Sequence, residues 1–157
     1  MDRIVVVGAG HAGCEAALAA ARLGHPVVVV TLCVAHIGRL SCNPAIGGLA
    51  KGNLVREIDA LGGAMARVAD RSSIQFRRLN TRKGLAVQAS RAQVDIDLYP
   101  KEMGQELLNQ ENITVVEGEV ALLRTASGRV CGVTLADGQE IDARAVVLTT
   151  GTFLSAV

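Results

Sequence analysis

The residues of this 157-residue chain with the most chemistry to offer are three glycines, Gly8, Gly10 and Gly13, and one thiol, Cys42. The glycines stand in Ile4-Val5-Val6-Val7-Gly8-Ala9-Gly10-His11-Ala12-Gly13-Cys14-Glu15-Ala16-Ala17, an aliphatic run followed at once by an alanine-rich helical segment. In a strand–turn–helix of this spacing the first glycine makes the turn, the second lets a phosphate approach where a Cβ would stand, and the third lets helix and strand pack closely. The start of the helix adds N–H donors that precede the intrahelical ladder and the positive end of its dipole. Gly8, Ala9, Gly10, His11, Ala12 and Gly13 are therefore candidate contacts for a dinucleotide diphosphate, His11 by positioning only. A turn that serves packing alone is the alternative.

Cys42 lies in Ile37-Gly38-Arg39-Leu40-Ser41-Cys42-Asn43-Pro44-Ala45-Ile46-Gly47-Gly48-Leu49-Ala50-Lys51-Gly52, whose density of Gly, Pro, Asn and Ser predicts an irregular loop. A thiol there, with its pKa lowered by positive charge or a helix dipole, is a candidate nucleophile or redox group. Inert packing is the common fate of a free cysteine. Cys14, Cys33 and Cys131 complete the set, with no C-x-x-C spacing and no His/Cys cluster, so neither a zinc site nor a disulfide framework is expected.

The elements that must position these residues follow from hydrophobic patterning. Residues 27–30, four valines, read as a second buried parallel strand that completes a βαβ unit. An acid often ends this strand and holds the ribose hydroxyls; here the position is Thr31, a hydroxyl in place of a carboxylate. Residues 53–61 are expected as a helix capped by Asn53, with Leu54, Ile58 and Leu61 on one face and Gly62-Gly63 as the stop. Short strands are expected at 74–79 and 86–89, and a helix over 93–109. Residues 113–117 read as a third parallel strand. Segments 120–123, 130–135 and 140–141 alternate as antiparallel strands, with turns at Ser127-Gly128 and Asp137-Gly138. A last buried strand, 145–149, ends in Thr150-Gly151. A three-stranded antiparallel insert before a parallel strand and a Thr/Gly turn is the layout of an FAD-binding half, which moves the expected ligand from NAD to FAD.

Composition narrows the class. Half the residues are hydrophobic, but no run approaches the ~20 apolar residues of a membrane span, and no signal-peptide layout is present; a soluble cytoplasmic protein of one ordinary domain is expected. With Phe76, Tyr99 and Phe153 its only aromatics, the chain offers no platform for stacking bases. Between Arg67 and Arg91 seven basic residues (Arg67, Arg71, Arg77, Arg78, Arg82, Lys83, Arg91) face one acid, Asp70. Such a strip suits an RNA backbone, or is a solvated face or a contact to subunit partners or cofactor phosphates.

Five segments resemble the MnmG (GidA) family of FAD-dependent tRNA wobble-uridine modification enzymes. They are Gly8-Ala9-Gly10-His11-Ala12-Gly13, Ser41-Cys42-Asn43-Pro44-Ala45-Ile46-Gly47-Gly48, Glu57-Ile58-Asp59-Ala60-Leu61-Gly62-Gly63, Ser90-Arg91-Ala92-Gln93 and Val146-Val147-Leu148-Thr149-Thr150-Gly151-Thr152-Phe153-Leu154. Thr31 in place of the acid is similar to the family too. The resemblance implies an α/β Rossmann-like FAD-binding fold of the glutathione-reductase type, of which residues 1–157 would be the incomplete N-terminal part. It implies FAD held by the glycine turn, by Thr31, by Val120 beside the adenine, and by Thr149 and Gly151 at a strand end. It further implies a carboxymethylaminomethyl or aminomethyl group added at uridine C5 from methylenetetrahydrofolate, NADH as reductant, tRNA and an MnmE-type GTPase as partners, and a homodimer. Leu85 and Gln88 depart from the family's Lys-Gly-Pro-Ala-Val-Arg. The related folate- and FAD-dependent tRNA uridine methyltransferase (TrmFO) and a non-catalytic FAD-binding module are the other readings; the Cys42 motif favours the first. The segment alone is expected to be inactive.

Overall fold

The computed structural model describes residues 2–152. In chain order its elements are β1 (Ile4–Val7), α1 (His11–Arg22), β2 (Val27–Thr31), β3 (Ala45–Gly47), α2 (Lys51–Ala60), α3 (Met65–Ser72), β4 (Ser73–Leu79) and β5 (Ala89–Val94). There follow α4 (Leu98–Leu108), β6 (Ile113–Glu117), β7 (Val120–Ala126), β8 (Arg129–Leu135), β9 (Glu140–Asp142) and β10 (Ala145–Leu148). The chain divides into two compact units, one of Met1–Ile37 with Gln105–Val157, the other of Gly38–Gly104. Phe153 and Leu154, the end of the last matching segment, lie outside the described residues.

The first unit holds a four-stranded sheet in the order β10-β1-β2-β6, parallel throughout. Buried strands of such a sheet carry apolar side chains on both faces, and Val5, Val6, Val27, Val29 and Val30 are all within 1% of full burial. Asn112 ties the sheet to the end of α1, its Nδ2 donating to the carbonyls of Ala21 (2.9 Å) and His25 (3.0 Å). Strands β7, β8 and β9 form the expected antiparallel insert. Ser127 and Gly128, with φ of 51° and 75°, supply the paired positive values that a two-residue hairpin with right-handed twist needs. One apolar cluster joins this insert to the parallel sheet: Val5, Val7, Val28 and Val30 meet Val133, Leu135, Ile141 and Ala143, with Val116, Val120 and Val146 at its margin.

The second unit departs from expectation in several places. Inside the expected loop, Ala45–Gly47 is a strand, and with β5 and β4 it makes an antiparallel sheet ordered β3-β5-β4. The predicted strand at 86–89 is instead a single 3-10 turn over Leu85–Val87, and the strand proper begins at Ala89. The predicted helix over 93–109 begins only at Leu98: Val94 belongs to β5, and the Asp95 carboxylate caps the helix by accepting from the N–H groups of Asp97 (2.9 Å) and Leu98 (2.8 Å). Those two bonds hold the Asp95 carboxyl below its ordinary pKa. Along α4 the spacing i, i+4, i+8 places Tyr99, Met103 and Leu107 in full burial.

Helix α2 starts at Lys51 rather than Asn53, with Ala50 at φ 60° as its cap; Asn53 lies inside, its N–H donating to the Ala50 carbonyl. Its stop at Gly62-Gly63 is as expected, with Gly62 at φ 85° and the Gly63 N–H returning to the Ile58 carbonyl. The expected apolar face is not the buried one. Leu54 and Leu61 are exposed, and α2 turns Gly52 toward β5, where an added Cβ would stand 2.6 Å from the Ser90 carbonyl oxygen. Helix α3 was not anticipated; it buries Val68, Ala69 and Ser72.

Candidate functional site

The turn between β1 and α1 is built backbone against backbone. The Gly8 N–H donates to the Val30 carbonyl (2.8 Å), and Gly8 itself sits at φ +101°. A Cβ on Gly8 would lie 2.5 Å from the Thr149 carbonyl oxygen, and one on Gly13 would lie 1.9 Å from the Gly8 oxygen. Neither position has room for a side chain. Gly10 differs: nothing stands within 4 Å of where its Cβ would be, and its φ of −73° is open to any residue. Two of the three glycines are thus explained by packing inside the protein, while the third leaves unfilled space at the start of α1.

Thr149, just past β10, locks this turn. Its N–H donates to the Val7 carbonyl (2.9 Å), and its hydroxyl lies 2.8 Å from that oxygen and 3.1 Å from the Gly8 oxygen. Gly10 caps α1 without a side-chain bond, and the ladder starts with Cys14 N–H to the Gly10 carbonyl (2.9 Å). The N–H groups of His11, Ala12 and Gly13 therefore come before the helix's own ladder, where the dipole is positive. This cradle suits a diphosphate in shape and in charge. Ala9 is buried behind it. Burial lowers the His11 pKa from its ordinary 6.5, so the imidazole is neutral at pH 7 and brings no cation of its own.

At the end of β2, Thr31 is buried and its hydroxyl turns to the Cys33 carbonyl (3.4 Å) rather than outward. A carboxylate does stand at this strand end, contributed by a neighbour. Glu117, in register with Thr31 at the end of β6, accepts from the Val34 N–H at 2.7 Å. The sequence reading missed it because it looked for the acid on β2; the signal was the last residue of the adjacent parallel strand. Val120 opens β7 with its side chain against the core cluster. Gly151, at φ +64°, is exposed in the turn that follows Thr149.

The first unit thus brings together Gly8, Ala9, Gly10, His11, Ala12, Gly13 and Thr149, carries Gly151 in the turn just past Thr149, and carries Thr31 and Val120 on other strand ends. Cys42 belongs to the second unit, where it is exposed; Cys14 is buried, its thiol 3.3 Å from the Ala9 carbonyl. Among the described residues no group of His, Cys, Asp or Glu side chains is placed to hold a metal ion, and no helix is long and apolar enough to cross a membrane.

A parallel sheet with a glycine turn at the head of its first helix, and an antiparallel insert before its last strand, define a Rossmann-like α/β fold of the glutathione-reductase type. Comparison with known proteins places the chain within that class. Residues 3–157 match the sequence model of the family described as glucose inhibited division protein A, and the chain belongs to that family. It is 60% identical over 152 residues to the tRNA uridine 5-carboxymethylaminomethyl modification enzyme MnmG of Desulfotalea psychrophila, covering 97% of this chain and 24% of that protein. Identity to MnmG of Myxococcus xanthus is 56% over 154 residues, covering 98% and 25%. The crystal structure of Aquifex aeolicus GidA superposes with a TM-score of 0.94 at 52% identity, over 97% of this chain and 25% of that one. A probable FAD-dependent monooxygenase from Pseudomonas aeruginosa, at 18% identity and TM-score 0.62, shares the fold. The chain spans about a quarter of the length of the family members it matches.

Proposed function

We propose that this chain is the FAD-binding part of a tRNA-modifying enzyme that adds a carboxymethylaminomethyl or aminomethyl group at C5 of the wobble uridine. The observation that carries the reading is the contrast within the glycine turn: Gly8 and Gly13 are closed by backbone, and Gly10 is open. In this reading the open position receives the FAD diphosphate, and the N–H groups of His11, Ala12 and Gly13 donate to it. Thr149 holds the turn in place from the end of β10. In this reading the backbone at Thr31, Val120 and Gly151 lies beside the cofactor, since the Thr31 hydroxyl and the Val120 side chain are turned into the protein. When bound, FAD supplies the redox step between NADH and the carbon unit delivered by methylenetetrahydrofolate.

Cys42 is the candidate reactive thiol. Its exposure leaves it accessible to substrate, and its reaction in this reading is addition to an electrophilic unsaturated carbon, the S–C bond forming as the π bond opens and the S–H proton passes to solvent. In the relatives this chain corresponds to about a quarter of the length, and in this reading the remaining part of such a protein would complete FAD binding and the contacts to tRNA, to an MnmE-type GTPase and to a second copy, in the cytoplasm. The test is the absorbance spectrum of the purified full-length protein while NADH is titrated in, followed by mass analysis of the tRNA uridine. Bound flavin bleached by NADH, with a modified uridine, is the expected result. A flavin-free protein, or a plain 5-methyl product, would overturn it. Residues 1–157 alone are expected to leave tRNA unmodified.

A further inference from the structure

The basic strip of the second unit is not uniform once its partners are counted. Arg67 donates to the carbonyls of Gly62 and Gly63, the closer at 2.8 Å, and Arg71 bridges to Glu102 at 2.9 Å. Among the described residues the side chains of Arg77, Arg78, Arg82, Lys83 and Arg91 make no hydrogen bond or ion pair. Two of these are set against each other. Arg77 on β4 and Arg91 on β5 are directly opposite in the antiparallel register, so both guanidiniums rise from the same face of the sheet with Cβ atoms about 5 Å apart.

Like charges in that relation repel, and among the described residues neither guanidinium has a hydrogen bond or ion pair to offset the other. The flanking register pairs on this face are Gln75 with Gln93 and Leu79 with Ala89, and the neighbour of Arg91 on its other side is Gly47, which at φ +88° has no side chain to offer. Ser90, one residue along and hence on the opposite face, accepts from Arg56 of α2 at 2.9 Å. Helix α2 therefore packs on the other side of the sheet, and Arg78, paired with Ser90, shares that side. Among the residues paired across these strands the face of Arg77 and Arg91 thus carries two planar five-donor forks, two amides, Leu79 and Ala89, and no acid, a donor set suited to a tetrahedral anion.

We propose that Arg77 and Arg91 form a two-armed clamp for one backbone phosphate of the tRNA, the anchor point of the basic strip. The proposal rests on the tRNA reading above. Neutralising one phosphate changes the salt dependence of binding by a fixed increment, and two arms on a single phosphate act together rather than independently.

The test uses the full-length flavin-loaded protein and its tRNA, with affinity measured from low to moderate salt. R77Q and R91Q are each expected to weaken binding about tenfold and to lower the slope of log K against log salt by about 1. The double variant loses clearly less than the product of the single losses, whereas R77Q combined with R78Q, on opposite faces, multiplies. R77K, which keeps the charge and loses the fork, retains the salt slope and recovers part of the affinity. Retained FAD content establishes that the variants are folded. Wild-type affinity in R77Q and R91Q overturns the clamp alone, as does loss of FAD in place of loss of tRNA. A wild-type protein with no affinity for tRNA overturns the tRNA reading and the clamp with it.

Discussion

Replacing the three glycines of the β1–α1 turn one at a time separates what the turn needs to fold from what it needs to bind. On Gly13 an alanine methyl would sit 1.9 Å from the Gly8 carbonyl oxygen and 2.8 Å from the Thr149 hydroxyl, against rigid backbone on one side. Overpacking of this kind costs about 1–3 kcal/mol. On Gly8 the methyl meets the Thr149 carbonyl at 2.5 Å, and φ +101° adds about 1–2 kcal/mol of conformational strain. Gly10→Ala meets neither penalty. The small loss from a poorer helix cap and the gain from a less flexible unfolded chain roughly cancel, leaving apoprotein stability within about 0.5 kcal/mol of wild type. FAD affinity of Gly10→Ala nonetheless falls at least tenfold, about 1.4 kcal/mol, because the methyl fills the space through which the diphosphate approaches. The assay pairs urea unfolding of flavin-stripped protein with titration of FAD fluorescence. Two results refute the reasoning: Gly10→Ala as unstable as Gly13→Ala, or Gly10→Ala binding FAD as wild type does, which would make the turn a packing device.

Thr149→Val keeps the shape of the side chain and removes the hydroxyl from the Val7 and Gly8 carbonyls; a loss of about 1 kcal/mol is expected in urea unfolding, and an unchanged midpoint would detach Thr149 from the turn. Burial lowers the His11 pKa in the fold, so as pH falls through the ordinary value of 6.5 the unfolded chain binds more protons and stability falls. His11→Asn should flatten that fall between pH 7 and 5, read from urea midpoints; an identical pH slope would count against it. Cys42→Ser is expected to abolish uridine modification in the full-length protein while leaving FAD bound. Modification at the wild-type rate, with unaltered flavin reduction, would remove the thiol from the chemistry.

The first unit was largely legible because its physics is local. Four valines from Val27 onward are buried on both sheet faces and need no alternation to be recognised, and the Ser127-Gly128 turn carries its conformation in its composition. The second unit was less so because its decisive contacts are distant. Ala45–Gly47 is three residues long, and only its register with Gln93, Ala92 and Arg91 makes it a strand. Val94 fits the apolar stripe of a helix as well as a strand, and the Asp95 cap decides between them. In α2 the apolar periodicity of Leu54, Ile58 and Leu61 was real, yet the buried residue of this helix is Gly52, set close against Ser90. At the site the glycines could be read but not told apart; their different roles depend on Thr149, which arrives from the far end of the chain.

That late arrival has a consequence for synthesis on the ribosome. Strand β1 and its partner on one side, β2, are made within a few seconds of each other at about 5–20 residues per second. Its partner on the other side, β10, pairs Ile4 with Ala145, so that edge stays open until the intervening unit of Gly38–Gly104 and the antiparallel insert have been translated. Non-local parallel pairing of this kind closes slowly and leaves apolar strand edges accessible in the meantime. The Thr149 lock on the glycine turn can form only after that closure, so in the proposed reading the diphosphate meets a locked turn only once β10 has paired with β1. Loading of the proposed cofactor would therefore report the late pairing of β10 with β1 and not the earlier pairing of β1 with β2.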